Sequence, residues 1–115
     1  MDFTPGPLLD AQIARRLWRA IVFVDVSNNI AYMFDGKEKK PLPKFSTSIQ
    51  DARKLTRTMR TLGFEECLRV NLLNGLVYAC FISEDEPERS FSEATTKPLA
   101  ICLAVLAALE ESKAA

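Results

Sequence analysis

The sequence predicts an α+β fold, an antiparallel β-sheet sandwiched by helices, with the element order αββαβββα. Three observations support this prediction. Apolar residues recur at helical spacing in three segments, and β-branched and aromatic runs separate these segments. The pair Asn74-Gly75 is the strongest short signal for a β-hairpin. The run 76–82 is almost continuously apolar, which is typical of a strand that is covered on both faces.

The chain begins with a predicted arm and helix. Residues 1–7 contain two prolines around Gly6 and are expected to form an extended arm. A single domain over residues 8–112 is expected to follow, because 115 residues is close to the commonest domain size. Its first helix is predicted from about Leu8 to about Ala20, where apolar residues recur at helical spacing: Leu9, Ile13, Leu17 and Ile21.

Two apolar runs after this helix, 21–26 and 30–34, predict a hairpin because they are rich in β-branched and aromatic residues. The residues between them, Ser27-Asn28-Asn29, suit a tight turn. A looser segment is the alternative for this part of the chain. Residues 37–44 are then expected to form a basic loop.

The middle helix is the most clearly marked element. Ser46 or Ser48 is expected to cap its start, and Gly63 to supply its C-terminal end. Its arginines point away from the apolar stripe and are expected to face outward. The predicted buried stripe consists of Ile49, Ala52, Leu55, Met59 and Leu62.

The C-terminal half is predicted to contain strands in 64–72 and 76–82, a weaker strand in about 89–94, and a last helix. Thr95 or Thr96 caps this helix, with Pro98 in its first turn. Residues 99–109 are apolar throughout, and a helix without a polar stripe is either buried all round or packed on a partner. We therefore expect a homo-oligomeric contact through the last helix. The alternative is a mildly exposed face of small residues: Ala100, Ala104, Ala107 and Ala108.

Composition excludes several chemistries. The chain has no histidine, which removes Ser-His-Asp and Cys-His catalysis and most nitrogen-ligated metal sites. No two carboxylates have a spacing that predicts acid–base catalysis, and the acidic turn 84–88 lacks the spacing of a calcium loop. Cys67, Cys80 and Cys102 are widely spaced, which predicts reduced thiols in the core. We expect no enzymatic activity, no cofactor and no metal.

Charge is balanced overall but segregated along the chain. Fifteen basic side chains match fifteen acidic ones, which argues against bulk nucleic-acid binding. Residues 37–60, however, carry five lysines and three arginines against two acids. A helix N-terminus offers free N–H groups and partial positive charge, so we expect a phosphate group to bind where the middle helix begins. The predicted ligand-binding residues are Lys44, Phe45, Ser46, Thr47, Ser48, Arg53 and Arg57.

In this prediction the hydroxyls and helix amides hold phosphate, the arginines add charge-assisted hydrogen bonds, and Phe45 or Tyr32 stacks a base. The alternative is that the serines only cap the helix and the arginines form a solvated face.

Two sequence motifs stand out, one at the start of the middle helix and one at the start of the last helix. The first is Pro43-Lys44-Phe45-Ser46-Thr47-Ser48-Ile49, followed by a helix that closes at Gly63-Phe64. The second is Glu93-Ala94-Thr95-Thr96-Lys97-Pro98-Leu99-Ala100-Ile101-Cys102. Over roughly residues 7–112 the chain resembles the phage ABA sandwich domain family, which is met in small accessory proteins of bacteriophages and prophages. The resemblance implies a phage or prophage origin and assigns no reaction.

We therefore expect a non-enzymatic host-defence antagonist that sequesters a phosphate-bearing small molecule, such as a cyclic nucleotide immune signal. The alternative is a protein-interaction module that inhibits or recruits a host or phage protein without a small ligand. The order helix, three strands, helix is also similar to the double-stranded RNA-binding domain, but here Lys97 is the only lysine at the start of the last helix. The apolar run 99–109 is shorter than the roughly 20 residues of a membrane span, and no signal sequence is evident, so we expect a soluble protein of the host cytoplasm.

Overall fold

The computed structural model describes residues 4–113, so the start of the predicted arm, residues 1–3, lies outside the described part. The predicted α+β class and order of elements are confirmed, including the hairpin after the first helix. One further strand, β3, occupies part of the segment that was expected to be a basic loop. The elements are α1 (Pro7–Trp18), β1 (Val22–Asp25), β2 (Ile30–Asp35), β3 (Glu38–Pro41), α2 (Ile49–Thr61), β4 (Glu65–Val70), β5 (Val77–Ile82), β6 (Ser92–Ala94) and α3 (Lys97–Lys113).

The strands form two antiparallel three-stranded sheets, β1-β2-β3 and β4-β5-β6, which we call the N-terminal sheet and the C-terminal sheet. The N-terminal sheet packs on α1 through β1 and β2, and α1 packs in turn on α3. The C-terminal sheet packs on α3 through β5 and β6, while α2 lies against α3 and β4. The helices therefore lie between the two sheets.

The N-terminal sheet forms for local reasons. Asn29 has a φ of 55° in the turn between β1 and β2, a conformation that asparagine tolerates better than most residues. The register pairs Val22 with Met33, and β3 then adds to the free edge of β2 by pairing Lys39 with Phe34. All four residues of β3 are exposed, so their sequence shows no alternation of apolar and polar residues. Pairing with β2, rather than burial, makes this segment a strand.

Helix α2 begins and ends as predicted. Ser48 is its N-cap and accepts a hydrogen bond from the Asp51 N–H at 3.3 Å, and Gly63 follows its last turn with a φ of 95°. Ala52, Leu55 and Met59 are buried, which confirms most of the predicted stripe. Leu62 is the exception, since it lies in the C-cap position and is exposed.

Strand β5 is covered on both faces, as its apolar sequence predicts. Val77, Ala79 and Phe81 are buried on the face that packs on α3. Cys80 is buried on the opposite face, and Arg89, in the long connection between β5 and β6, lies close enough for its charge to oppose the rise that burial causes in the pKa of the Cys80 thiol. The Arg89 guanidinium also lies 5.7 Å from the centroid of the Phe64 ring. The second cover is therefore provided by the long connection between β5 and β6 rather than by a helix.

Helix α3 is the centre of the molecule. It contacts α1, α2, β5 and β6, and its start is capped by Thr96, whose hydroxyl accepts a hydrogen bond from the Leu99 N–H at 3.4 Å. The side chains buried within the chain include Ala100, Ile101, Cys102, Ala104, Val105, Leu106 and Ala108. The chain itself therefore covers the apolar helix. The apolar sequence of α3 is thus no reason to expect an oligomeric contact through it. In the part of the chain that the structure describes, no helix is both long and apolar enough to cross a membrane.

The three cysteines are free thiols, and two of them lie in the core as predicted. Burial raises the pKa of the Cys80 and Cys102 thiols above the ordinary value, so both stay protonated at neutral pH. Cys67 is half-buried on β4, directly opposite Cys80.

Candidate functional site

The residues that lead into α2 were predicted to hold phosphate, but the structure turns two of them inward. Phe45 and Ser46 are each only 1% exposed. The Phe45 ring packs against the Trp18 ring of α1 at a centroid distance of 5.6 Å. In this conformation neither side chain reaches a ligand in solvent, so the placement of Phe45 and Ser46 in the site is corrected.

Ser46 connects the start of α2 to the start of α1. Its N–H donates to the Asp10 Oδ1 atom at 2.8 Å, and its hydroxyl oxygen accepts from the Gly6 N–H at 2.8 Å. Asp10 is itself buried. Burial raises the pKa of Asp10 above its ordinary value, and the hydrogen bonds from Ser46 oppose that rise. The donor and acceptor atoms of Ser46 are therefore used to join two parts of the fold.

The other predicted residues of this segment do not form a phosphate cradle either. The Ser48 hydroxyl is occupied as the N-cap, and Asp51 Oδ2 accepts from the Lys44 N–H at 2.9 Å. The N–H groups of Thr47 and Ser48 both donate to the Lys44 carbonyl oxygen. A carboxylate already lies where an anion was expected, which makes a phosphate unfavourable there. The side chains of Lys44 and Thr47 remain exposed.

Arg53 and Arg57, the last two predicted residues, lie elsewhere. They project from the exposed side of α2 and line a groove between α2, β4 and the first turns of α3. The groove encloses about 290 Å³. We call it the cationic groove, and its lining residues are Ile49, Arg53, Thr56, Arg57, Arg60, Glu66, Leu68, Lys97 and Ile101.

Four of these residues are cationic, and they outnumber the carboxylate of the groove, Glu66. Arg53, Arg57 and Arg60 recur at helical spacing along α2, and Lys97 joins them from the start of α3. Among the residues that the structure describes, no carboxylate forms an ion pair with any of the four. The groove is therefore a site of positive potential.

The one carboxylate in the groove is engaged by a neutral partner. Glu66 of β4 accepts a hydrogen bond from the Thr56 hydroxyl at 2.6 Å. This bond holds the carboxylate against α2 and leaves the arginines to face the groove. Four positive charges and one negative charge line the groove, and side chains of Ile49, Leu68 and Ile101 provide its apolar part.

Sequence reasoning found half of the cationic set. Arg53 and Arg57 were predicted, and Arg60 shares their helical spacing, so the periodicity of α2 was a sufficient signal for all three arginines. Lys97 lies 40 positions beyond Arg57 in the sequence. Only the packing of α3 on α2 brings it to the groove. The arrangement can bind an anion through charge-assisted hydrogen bonds, with room for an apolar group beside it.

The fold is similar to that of a phage protein from Bacillus cereus ATCC 14579 whose crystal structure is known at 2.0 Å. The two chains are 16% identical, the TM-score is 0.70, and the alignment covers 96% of this chain and 91% of that chain. A scan of known protein families finds no match, and neither does a search of curated proteins. The likeness therefore shows a fold that a phage protein also has, while membership in the phage ABA sandwich domain family stays a prediction.

Proposed function

We propose that this chain is a non-enzymatic binding protein that captures a phosphate-bearing small molecule in the cationic groove. The observation that carries the proposal is the convergence of Arg53, Arg57, Arg60 and Lys97 on one cavity, where no carboxylate of the described residues forms an ion pair with any of them. One guanidinium group can donate two parallel hydrogen bonds to the oxygens of a phosphate. Such charge-assisted hydrogen bonds are about twice as strong as neutral ones. The groove replaces the start of α2 as the phosphate site.

The apolar part of the groove narrows the class of ligand. A bare inorganic anion would leave Ile49 and Leu68 without contacts, whereas the base or sugar of a nucleotide would cover them. The volume of about 290 Å³ lies at the lower end of the range for small-molecule sites. The charge suits a ligand with one or two phosphate groups, and the volume suits one nucleotide unit, so a cyclic dinucleotide would place one of its two nucleotides in the groove.

The biological role we propose is antagonism of host defence by a phage or prophage protein that sequesters a cyclic nucleotide immune signal in the host cytoplasm. The likeness to a phage protein supports the origin, and the groove supports the ligand class. Sequestration requires binding without turnover. This matches a chain that has no histidine and whose groove offers arginines, a lysine, Glu66 and Thr56 as its polar groups.

Isothermal titration calorimetry with a 3′,5′-cyclic dinucleotide, and separately with inorganic pyrophosphate, tests the proposal. We expect the cyclic dinucleotide to bind more tightly than pyrophosphate, because only the former uses the apolar part of the groove. Arg57→Glu should weaken binding by about tenfold or more, since it replaces a phosphate partner with a repelling charge.

The matched control is Lys54→Glu, which makes the same change of charge on α2 at an exposed residue outside the groove. The affinity for the ligand should stay within about twofold of the wild-type value, because Lys54 does not line the groove and its ion pair with Asp51 is a weak surface contact. Equal losses in the two variants would mean that binding depends only on overall charge, and no heat with either ligand would overturn the proposal.

A second function, a protein-interaction module, is favoured by a different observation. The loop between β4 and β5 presents Leu72 and Leu73, which are 94% and 97% exposed. Adjacent leucines at a loop tip are a common contact for a protein partner. If a partner is isolated from infected cells, Leu72→Ser with Leu73→Ser should abolish its capture while leaving the affinity for the cyclic dinucleotide unchanged.

A further inference from the structure

The N-terminal sheet buries one face and exposes the other. Val22 and Ala31 lie on the face that packs on α1, and both are buried. On the opposite face Ile21 is 73% exposed and Phe23 is 48% exposed. The residues that define this outer face, by alternation along the strands, are Ile21, Phe23, Asp25, Ile30, Tyr32, Phe34, Lys39 and Pro41.

The outer face is ordered as a grid of cross-strand neighbours. Phe23 lies directly opposite Tyr32, and their rings stack with centroids 5.9 Å apart. Phe34 lies between Ile21, whose carbonyl oxygen accepts from the Phe34 N–H at 3.1 Å, and Lys39. The Lys39 Nζ atom lies 4.4 Å from the centroid of the Tyr32 ring. A contiguous aromatic surface of this kind on a water-soluble domain marks an interface.

We propose that the outer face is a homodimer interface, in which it packs against the same face of a second copy of this chain. The charged residues of the outer face favour a second copy over single-stranded nucleic acid as the binding partner. Single-stranded nucleic acid needs several cations around the stacking rings, but this face carries one lysine, Lys39, and one acid, Asp25. A net-neutral face with one charge of each sign is complementary to itself, which is the requirement of a two-fold contact.

The two charges also lie in positions that allow pairing across a two-fold axis. Asp25 ends β1 at one corner of the face, and Lys39 lies on β3 at the opposite corner, beside Phe34, with its side chain extended over the Tyr32 ring toward the middle of the face. If the strands of the two copies cross at nearly right angles, one of the two preferred ways for sheets to pack, each Asp25 approaches the other copy's Lys39. The same operation places each Phe23 against the other copy's Phe34. Hydrogen bonds from Asn28 hold the Asp25 carboxylate in place and lower its pKa, so it is ionised at neutral pH.

The size of the face sets the expected strength. Three strands at a spacing of about 4.8 Å and a rise of about 3.4 Å per residue give a face of roughly 14 by 17 Å. A face of about 240 Å² per copy is well below the roughly 800 Å² per partner of a standard interface, so the dimer should be weak and transient and should dissociate at about high micromolar to millimolar concentration. Occupation of the cationic groove does not enter into this contact, and either proposal can fail without the other.

Sedimentation velocity over a wide range of protein concentration tests the interface. We expect a reversible monomer–dimer equilibrium, which Phe23→Ser shifts about tenfold or more toward monomer because it removes a central aromatic contact. Phe91→Ser is the matched control, since it makes the same change at a partly exposed phenylalanine of the C-terminal half and should leave the equilibrium unchanged.

The charge pair gives a test that does not touch the apolar surface. Lys39→Asp should weaken self-association, whereas Lys40→Asp, on the same strand but the opposite face, should not. Asp25→Lys should also weaken it, and a mixture of the Lys39→Asp and Asp25→Lys chains should form a heterodimer more readily than either forms a homodimer.

A chain that shows no self-association up to about millimolar concentration would overturn the proposal. So would a dimer that is insensitive to both Phe23→Ser and Lys39→Asp. A monomer whose outer face binds an oligothymidylate would instead assign this surface to single-stranded nucleic acid.

Discussion

Residues 44–48 and the arginines of α2 are neighbours in the sequence, and both groups have the chemistry that phosphate binding requires. The structure uses them in opposite ways. Ser46 and Ser48 are short, so their hydroxyls bond to backbone groups within the fold. Arg53 and Arg57 are long and exposed, and their charged ends reach a groove instead. The serines at the start of α2 therefore stabilise the fold, whereas the arginines, which form no ion pair among the described residues, are the better candidates for binding a ligand.

Phe45→Ala is expected to change the free energy of unfolding more than any other substitution in the segment before α2. Phe45 is fully buried against Trp18, so truncation leaves a cavity and should lower the free energy of unfolding by about 3–5 kcal/mol. Chemical denaturation monitored by circular dichroism measures the loss. Phe91→Ala is the control, because Phe91 is 39% exposed and its truncation should lower the free energy of unfolding by clearly less than that of Phe45. A small loss at Phe45 would return this residue to the list of ligand contacts.

A smaller effect is expected from Ser46→Ala. Alanine cannot accept the hydrogen bond from the Gly6 N–H, and leaving a partly buried donor without a partner should lower the free energy of unfolding by about 1–3 kcal/mol. The neighbouring Thr47→Ala removes an exposed hydroxyl and should change stability by less than about 0.5 kcal/mol. Equal stability of the two variants in urea titrations would show that the Ser46 hydroxyl contributes nothing to holding this segment against the start of α1.

The burial of Ser46 could not be predicted from the sequence, because the residues that cover it are distant in the chain. The partners of Ser46, Gly6 and Asp10, are 40 and 36 positions away in the chain. A Pro-Lys-Phe-Ser-Thr-Ser stretch predicts a cap from local rules, but it contains no information on which distant segment packs over it. The same limit hid Lys97, which reaches the groove only through the packing of α3 on α2.

Elements with local signals were predicted well. The cap at Ser48, the end at Gly63 and the turn at Asn29 each depend on the conformational preferences of one residue type. Strand β3 was missed because all its side chains are exposed and its only stabilisation as a strand is pairing with β2. The burial of α3 was foreseen as one of two outcomes, since an apolar helix predicts cover without specifying whether the cover comes from the same chain.

The buried carboxylate under Ser46 gives a pH-dependent test of the inward-facing segment. Burial raises the folded-state pKa of Asp10 above its unfolded value of about 3.9. A raised pKa contributes stability that is fully present below the unfolded pKa and is lost as the pH rises through the folded pKa. Asp10→Asn keeps an oxygen for the Ser46 N–H but does not titrate, so its stability relative to the wild type should increase as the pH is raised from about 4 toward neutrality. Urea titrations of both proteins at several pH values measure this difference, and a constant difference would show that Asp10 is not desolvated.

In the cationic groove, by contrast, substitution of an arginine is expected to change the free energy of unfolding very little. Arg57→Ala should change the free energy of unfolding by less than about 0.5 kcal/mol, because Arg57 is exposed and no ion pair engages it among the described residues. Loss of one of four like charges in a shared groove also relieves repulsion, so a slight gain in stability agrees with the same picture. The gain should shrink at high salt, since screening weakens repulsion between exposed charges. Thermal unfolding at low and high ionic strength measures both effects. A loss comparable to that of Ser46→Ala would mean that the arginines of α2 hold the fold together, and that the groove is not a free surface awaiting an anion.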